Sequence, residues 1–365
     1  MGKKTGLRIG YTTGSCATAA AMAAVTAILG EEKREVDIPT PSGKRLRIPI
    51  LKTFKKGNFA RVWVKKDAGD DPDVTHGALI CARVSLQQQK NNESIVEIFG
   101  GKGVGVVTKP GLPVKIGHAA INPVPREQIK NGVLEVLNRF KVKAKVCVII
   151  EVLEGEKIAK KTLNPRLGII GGVSILGTRG TVIPYSAEAY KETIILAMDV
   201  AKTMGLYHIA LTTGGRSERL LMNILNSLPK EAFIQIADFF KFSLECASKK
   251  GFKTISFGVF PGKLIKMAQG YEYTHARETK IDFDLLSKWA KEIGYSKEIC
   301  LEIKKANTGR HVMEIVDTEK EKKIKFIEFL CNKAVLVAKN FSSYRLKIIY
   351  HVFDYTEDFI MSYQG

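Results

Sequence analysis

From about residue 187 onward, short apolar runs alternate with helical periodicity, and this alternation narrows the fold more than any other feature of the chain. Residues 187–204 carry helical spacing closed by Gly205, and 207–211 form a short apolar run ending at Thr212-Thr213-Gly214-Gly215. Residues 217–228 and 233–250 read as further helices, the second closed by Gly251, and 253–259 as another apolar run ending at Pro261-Gly262-Lys263. Short buried strands separated by helices pack as a parallel sheet with crossover helices, because parallel neighbours need a long connection. Residues 283–339 read mostly as helix, and 346–353 as a final strand added antiparallel at an edge. The expectation for this half is a Rossmann-like α/β domain with a mostly parallel sheet.

The first half reads as α+β and strand-rich. A helix is expected over 13–30, opened by a turn at Gly14 and capped by Ser15 ahead of an alanine-rich run. Strands are expected at 34–38, 45–51, 59–64, 80–85 and 94–99, with the polar tract 87–93 as a turn. A glycine-rich loop follows at Gly100–Gly105. Pro125 stands in the first turn of a helix over 126–140, and 143–153 is a strongly apolar strand. The glycine-rich run 168–180 marks the boundary, giving domains 1–180 and 181–365. A length of 365 residues agrees with two domains.

The net charge of +20 favours an anionic partner. Nucleic acid, acidic lipid and a small polycarboxylate all qualify, and a solvated lysine-rich surface is the plain alternative. A nucleic-acid binder would interleave aromatic and basic residues along a strand face. Strands 59–64 and 94–99 show only one or two such residues. No apolar run is long enough to span a membrane, and no apolar signal core follows the basic residues 1–5. Six scattered cysteines without a Cys-x-x-Cys pair read as reduced thiols of a cytoplasmic protein. Self-association is left open.

Several segments carry candidate chemistry. Gly10-Tyr11-Thr12-Thr13-Gly14-Ser15 opens a helix with hydroxyls and free N–H groups, suited to an anion or to simple capping. Lys66-Asp67-Ala68-Gly69-Asp70-Asp71-Pro72-Asp73-Val74-Thr75-His76-Gly77 gathers four carboxylates and a histidine, suited to acid–base work or to a capped turn. It does not follow the calcium-loop pattern. The Gly100–Gly105 loop fails the dinucleotide pattern, since Val106 stands where the third glycine belongs. It remains a tight loop where a ligand can approach backbone. Pro261-Gly262-Lys263 lacks the spacing of a phosphate loop, and Leu264 replaces the hydroxyl residue that would bind magnesium. Thr212-Thr213-Gly214-Gly215-Arg216 follows a buried strand and begins a helix, where ligands of open α/β sheets bind. Tyr273-Thr274-His275 and Asn307-Thr308-Gly309-Arg310-His311 are polar spots of the kind that line pockets.

Together these segments resemble the CbiD family. The resemblance runs through Tyr11–Ala17, Asp67–Gly77, Gly103–Leu112, Ile121–Arg126, Asn164–Gly168, Ser174–Thr178, Thr212–Glu218 and Pro261–Lys263, in family order. Ser15 replaces an expected threonine, keeping the hydroxyl, and the last 90 or so residues carry little recognisable motif. The resemblance implies an S-adenosylmethionine-dependent C-methyltransferase of anaerobic cobalamin biosynthesis. It would methylate ring carbon 1 of cobalt-precorrin-5B to give cobalt-precorrin-6A. The implied substrate is an anionic cobalt-tetrapyrrole with many carboxylate arms, in keeping with the charge. Its cobalt arrives inside the ring, so no protein-bound metal is expected. Methylation ends with loss of a proton, for which Asp67, Asp70 or His76 is the expected base. Thr12, Thr13, Ser15, Lys66, Lys109, Arg126 and Lys263 are expected on substrate carboxylates. Thr212, Thr213, Gly214, Gly215 and Arg216 are expected on the cofactor. These roles rest on residue chemistry and are not carried over from the family.

Overall fold

The computed structural model describes residues 6–89 and 93–365. The basic residues 1–5 and part of the turn expected at 87–93 lie outside them. The protein is a mixed α/β chain that divides into two compact units, one running to Ala187 and the other over Glu188–Gly365. The first unit extends past Gly180 because Thr181–Val182 pairs antiparallel with Gly10–Tyr11. The Gly180 carbonyl also accepts the Ser15 hydroxyl at 2.7 Å.

In the first unit a five-stranded sheet runs in the order Lys52–Lys56, Phe59–Lys65, Leu79–Gln88, Ala144–Val152, Ile95–Gly100. All pairs are antiparallel except the last, where Ile95–Gly100 runs parallel to Ala144–Val152. Burial alternates strictly along Ala144–Val152, so Val146, Val148 and Ile150 face the core. The helix Thr13–Ile28 is buried from Thr13 to Ala27. Its alanines keep it thin enough to lie between the sheet and the helix Pro123–Arg139, where a side chain at Gly132 would collide with Met22.

Several expectations are corrected here. Thr12, not Ser15, caps the first helix, its Oγ1 accepting the Ser15 N–H, and Gly14 lies inside the helix. The second helix begins at Pro123, one residue after its cap Asn122. The edge strand Lys52–Lys56 was not foreseen, because a solvent-facing edge carries no apolar alternation. The Gly100–Gly105 loop is a packing node between backbones, not an open ligand approach. Gly103 sits at φ 77°, and a Cβ there would lie 2.0 Å from the Val152 carbonyl oxygen. Gly155 and Gly172 press on Gly103 in the same way.

The second unit has a five-stranded sheet in the order Phe233–Gln235, His208–Thr212, Thr254–Val259, Lys347–Phe353, Phe359–Gln364. The first four strands are parallel and the last is antiparallel. Two expectations change. The helix expected over 233–250 is a strand followed by the helix Phe240–Lys249. Ala210–Thr212 offers a parallel edge to Phe233–Gln235, and Ala237 at φ 46° turns the chain before the helix. Strand Lys347–Phe353 is interior and parallel, not an antiparallel edge. The helices Pro261–Ala268, Phe283–Ile293, Lys297–Lys305, Gly309–Val316 and Lys320–Phe341 supply the long crossover that parallel pairing requires. The edge belongs to Phe359–Gln364.

Candidate functional site

In the first unit the aspartate loop is pinned by its own carboxylates. The Asp67 side chain forms an ion pair with Arg8 and accepts the Gly69 N–H at 2.8 Å. Arg8, aided by that N–H, holds the Asp67 carboxyl below its usual range against the opposing effect of burial. Asp70 accepts the Arg8 N–H at 2.7 Å, and Asp71 accepts the Tyr185 N–H at 2.8 Å. Asp73 accepts from the Lys66 ammonium at 2.6 Å, with the lysine side chain only 1% exposed. Burial alone would raise the Asp73 carboxyl, but Lys66 and the Thr75 hydrogen bonds outweigh it and keep it low. His76 is half-exposed, and its Nδ1 accepts the Ala68 N–H at 3.1 Å. In the neutral ring that bond leaves the proton on Nε2, so His76 faces outward as a donor.

The hydroxyls expected on substrate carboxylates are buried and engaged. Thr13 Oγ1 donates to Ser174 O at 3.1 Å and accepts the Leu176 N–H at 2.8 Å. Thr12 and Ser15 both bond Gly180 O. These three side chains hold the 174–180 segment. Lys109 packs its methylenes against Gly168, and Arg126 donates to Ile98 O at 2.8 Å. Both remain partly exposed.

In the second unit the turn after His208–Thr212 is open. Gly214 has an extended φ of 169°, and a Cβ there would meet nothing within 4 Å. At Gly215 it would meet only the Gln235 amide, at 3.9 Å. The helix Gly215–Ile224 has no side-chain cap, so its first N–H groups point into that space with the positive end of the helix dipole. Thr212 is fully buried, and its Oγ1 finds no hydrogen-bond partner among the described residues. A buried polar atom without a partner is costly enough to call for an explanation. Thr213 is half-buried beside it. Arg216 donates to Glu357 at 2.8 Å and lies 4.9 Å over the Phe260 ring.

Neighbouring loops close around this turn. Helix Gly215–Ile224 leads to the strand on one side of His208–Thr212, and Thr254–Val259 lies on the other, which makes this edge the switch point where open sheets bind ligands. The Gly262 N–H donates to the Tyr355 hydroxyl at 3.0 Å, Gly309 packs against Gly262, and Arg310 stacks on Tyr355 at 4.9 Å. Of the spots singled out at 307–311, Arg310 thus reaches the Pro261 turn. Lys263 is not free for a substrate: it pairs with Asp238 and donates to Thr274 O at 3.1 Å. Reading the sequence missed Arg8, Gln235 and Asp238, and it left Glu218, at the end of the glycine-turn motif, without a role. Buried Glu218 accepts from Gln235 at 2.8 Å beside the glycine turn. Gln235 and Asp238 fell inside the misread helix, and no local pattern distinguishes Arg8. Among the described residues no three metal-ligating side chains converge, and no helix is long and apolar enough to cross a membrane.

Residues 1–184 match the CbiD family model, and residues 273–364 match the CbiD C-terminal domain. The cobalt-precorrin-5B C(1)-methyltransferase of Geobacillus sp. (strain WCH70) is 47% identical over 92% of this chain and 90% of its own length. The protein of the same name from Thermus thermophilus is 46% identical over 86% of this chain and 82% of its own. The 1.9 Å crystal structure of the cobalamin biosynthesis protein CbiD from Archaeoglobus fulgidus is similar at 31% identity and a TM-score of 0.40, over 72% of this chain and 79% of that one. On the strength of the family match and the identity to these relatives, the chain belongs to the CbiD family.

Proposed function

We propose that this chain is a cytoplasmic methyltransferase acting on ring carbon 1 of cobalt-precorrin-5B, with S-adenosylmethionine as donor. The observation that carries the reading is 47% identity to a relative of that name across 92% of the chain. The basic charge then has a polycarboxylate partner and needs no nucleic acid. Free cysteines throughout the chain suit a reducing compartment.

The second unit is the Rossmann-like half that takes the donor. The residues at its glycine turn fit such a group: an orphaned Thr212 hydroxyl, open space over Gly214 and Gly215, and uncapped helix N–H groups for a carboxylate. Thr213 and the Arg216–Phe260 stack line the same turn. When bound, the donor supplies an electrophilic methyl on a sulfonium. The turn orients and fixes the donor, and a reactant held in one orientation removes part of the barrier.

In the first unit the proton acceptor is Asp70. Asp67 is held acidic by Arg8, which makes it a weak base, and the His76 Nδ1 lone pair is occupied by Ala68. Asp70 is exposed and anchored by the Arg8 N–H. Lys109 and Arg126, both partly exposed, take substrate carboxylates; Thr12, Thr13 and Ser15 hold the 174–180 backbone, and Lys66 anchors the aspartate loop.

The test is anaerobic mass spectrometry of the enzyme with cobalt-precorrin-5B and S-adenosylmethionine. One methyl mass on the macrocycle together with S-adenosylhomocysteine is the expected result. Neither product from folded enzyme would overturn the function.

A further inference from the structure

The first unit carries a small lobe whose composition departs from the rest of the chain. Residues 101–126 and 157–187 contain no aspartate or glutamate, although acids number 37 in 365 overall. The two runs meet in space. Val106–Val107 pairs antiparallel with Ile169–Ile170, and Thr108 donates both its N–H and its hydroxyl to Gly168 O at 2.7 Å. On the other side Val107 bonds His118 and Gly117, and Val106 bridges Ala119. Val107, Ala120 and Ile169 form a compact floor beneath this miniature sheet.

Its outer surface is apolar. Val106 and Ile170 are cross-strand partners, 41% and 61% exposed, and Ile116 nearby is 55% exposed. Scattered exposed aliphatics are ordinary, whereas paired ones on one small sheet form a patch. The same runs supply partly exposed Lys109 and exposed Lys115. Charge is partitioned in the same sense across the whole chain. The 57 basic and 37 acidic residues divide as 30 and 15 up to residue 187, and as 27 and 22 beyond it.

We infer that this lobe is the docking face for the flat ring of the tetrapyrrole substrate, with Val106, Ile116 and Ile170 against the macrocycle and Lys109 and Lys115 on its carboxylate arms. The inference rests on the proposed function and adds the surface on which that substrate lies. An apolar disc with anionic arms matches in charge an apolar face carried on two runs that supply lysines and no carboxylates of their own. A second copy of the chain would find the same apolar patch but the same lysines, which disfavours self-association there.

The test uses cobalt uroporphyrin, a polycarboxylate tetrapyrrole, titrated by absorbance against the full chain. Ile170→Glu and Lys115→Glu should each weaken binding about tenfold or more, and Lys297→Glu, an exposed change in the second unit, should change it less than twofold. Ile170 and Lys115 are exposed, so the fold tolerates both changes; circular dichroism checks this. Unchanged affinity in both lobe variants overturns the inference. So does a variant that keeps its affinity but passes from dimer to monomer in sedimentation, which would make the lobe a self-association face. Methyl transfer by the wild-type enzyme is measured alongside. Its absence sinks the function, whereas its presence with unaltered variant affinities sinks the lobe alone.

Discussion

Thr212 presents an opposition between stability and binding that can be measured. Its hydroxyl is buried without a partner among the described residues, so replacing it with the isosteric valine removes an unsatisfied group and fills the same volume. Thr212→Val should leave the melting temperature unchanged or raise it. The same change should weaken S-adenosylmethionine about tenfold in calorimetry if a bound donor satisfies the hydroxyl. Unaltered donor affinity would remove Thr212 from the site. Gly214→Val makes a companion case. At φ 169° any residue adopts the backbone, and the new side chain enters open space rather than crowding the turn. The fold should survive with its denaturant midpoint intact while donor affinity falls. At Asp70 the expectation is kinetic. Asp70→Asn should lower the single-turnover rate by about 10²-fold or more, with little change in midpoint, as loss of a general base does. A near-normal rate would leave the whole loop as scaffold.

At the scale of elements, the aspartate loop and the second sheet each hold a buried polar arrangement. In the loop, Lys66 and Asp73 form a pair with the ammonium fully enclosed. Asp73→Ala strands that ammonium and should cost about 3–5 kcal/mol, whereas Lys66→Met should cost less, because it removes the charge itself. Denaturation midpoints distinguish the two, and equal costs would count against the pair as the loop's anchor. In the sheet, His208, Ser256, His351 and Ser362 form a hydrogen-bonded chain across four strands, with contacts of 2.9, 3.3 and 2.7 Å. Burial, then His208, pushes His351 down from 6.5 to about 4. His351 therefore stays neutral in the folded protein where the unfolded chain takes up protons, below about 6.5, and burial, then Lys347, lowers His208 in the same direction. Stability from this chain is complete above that pH and is lost as pH falls toward 4. A Trp63→Phe background leaves Trp289, in the second unit, as the sole tryptophan, and its selectively excited emission reports on that unit. There the midpoint should drop across this window, and His351→Gln should flatten the drop. Most long elements were legible because one face repeats at a fixed period, as in Ala144–Val152. What escaped was set by partners distant in sequence. Phe233–Gln235 is a strand only because Ala210–Thr212 lies beside it, and Lys347–Phe353 is interior only because Phe359–Gln364 takes the edge. The site follows the same rule. The Thr212–Gly215 turn could be read from a strand followed by glycines, but its orphaned hydroxyl could not. The Thr12–Ser15 hydroxyls read equally as anion site or cap, and the 174–180 segment they hold decides for structure.

Across the whole molecule the excess charge is concentrated up to residue 187, while the remainder is nearly balanced. Fields of one sign steer and hold opposite charge, and salt screens them over roughly 8–10 Å at physiological strength. Two ligands of different charge should therefore respond differently to salt. A polycarboxylate tetrapyrrole held on that lobe should lose about tenfold or more in affinity between low and high salt. A donor that carries both charge signs, seated at a turn lined by helix N–H groups and near Glu218 and Glu357, should change little. Titrations of both ligands on the full chain across one salt series provide the comparison. Equal sensitivity would mean that the field of the entire chain governs both and that the charge partition has no bearing on substrate choice. A steep response confined to the tetrapyrrole, reduced further by Lys115→Glu, would tie the overall charge of this protein to the face that reads its substrate.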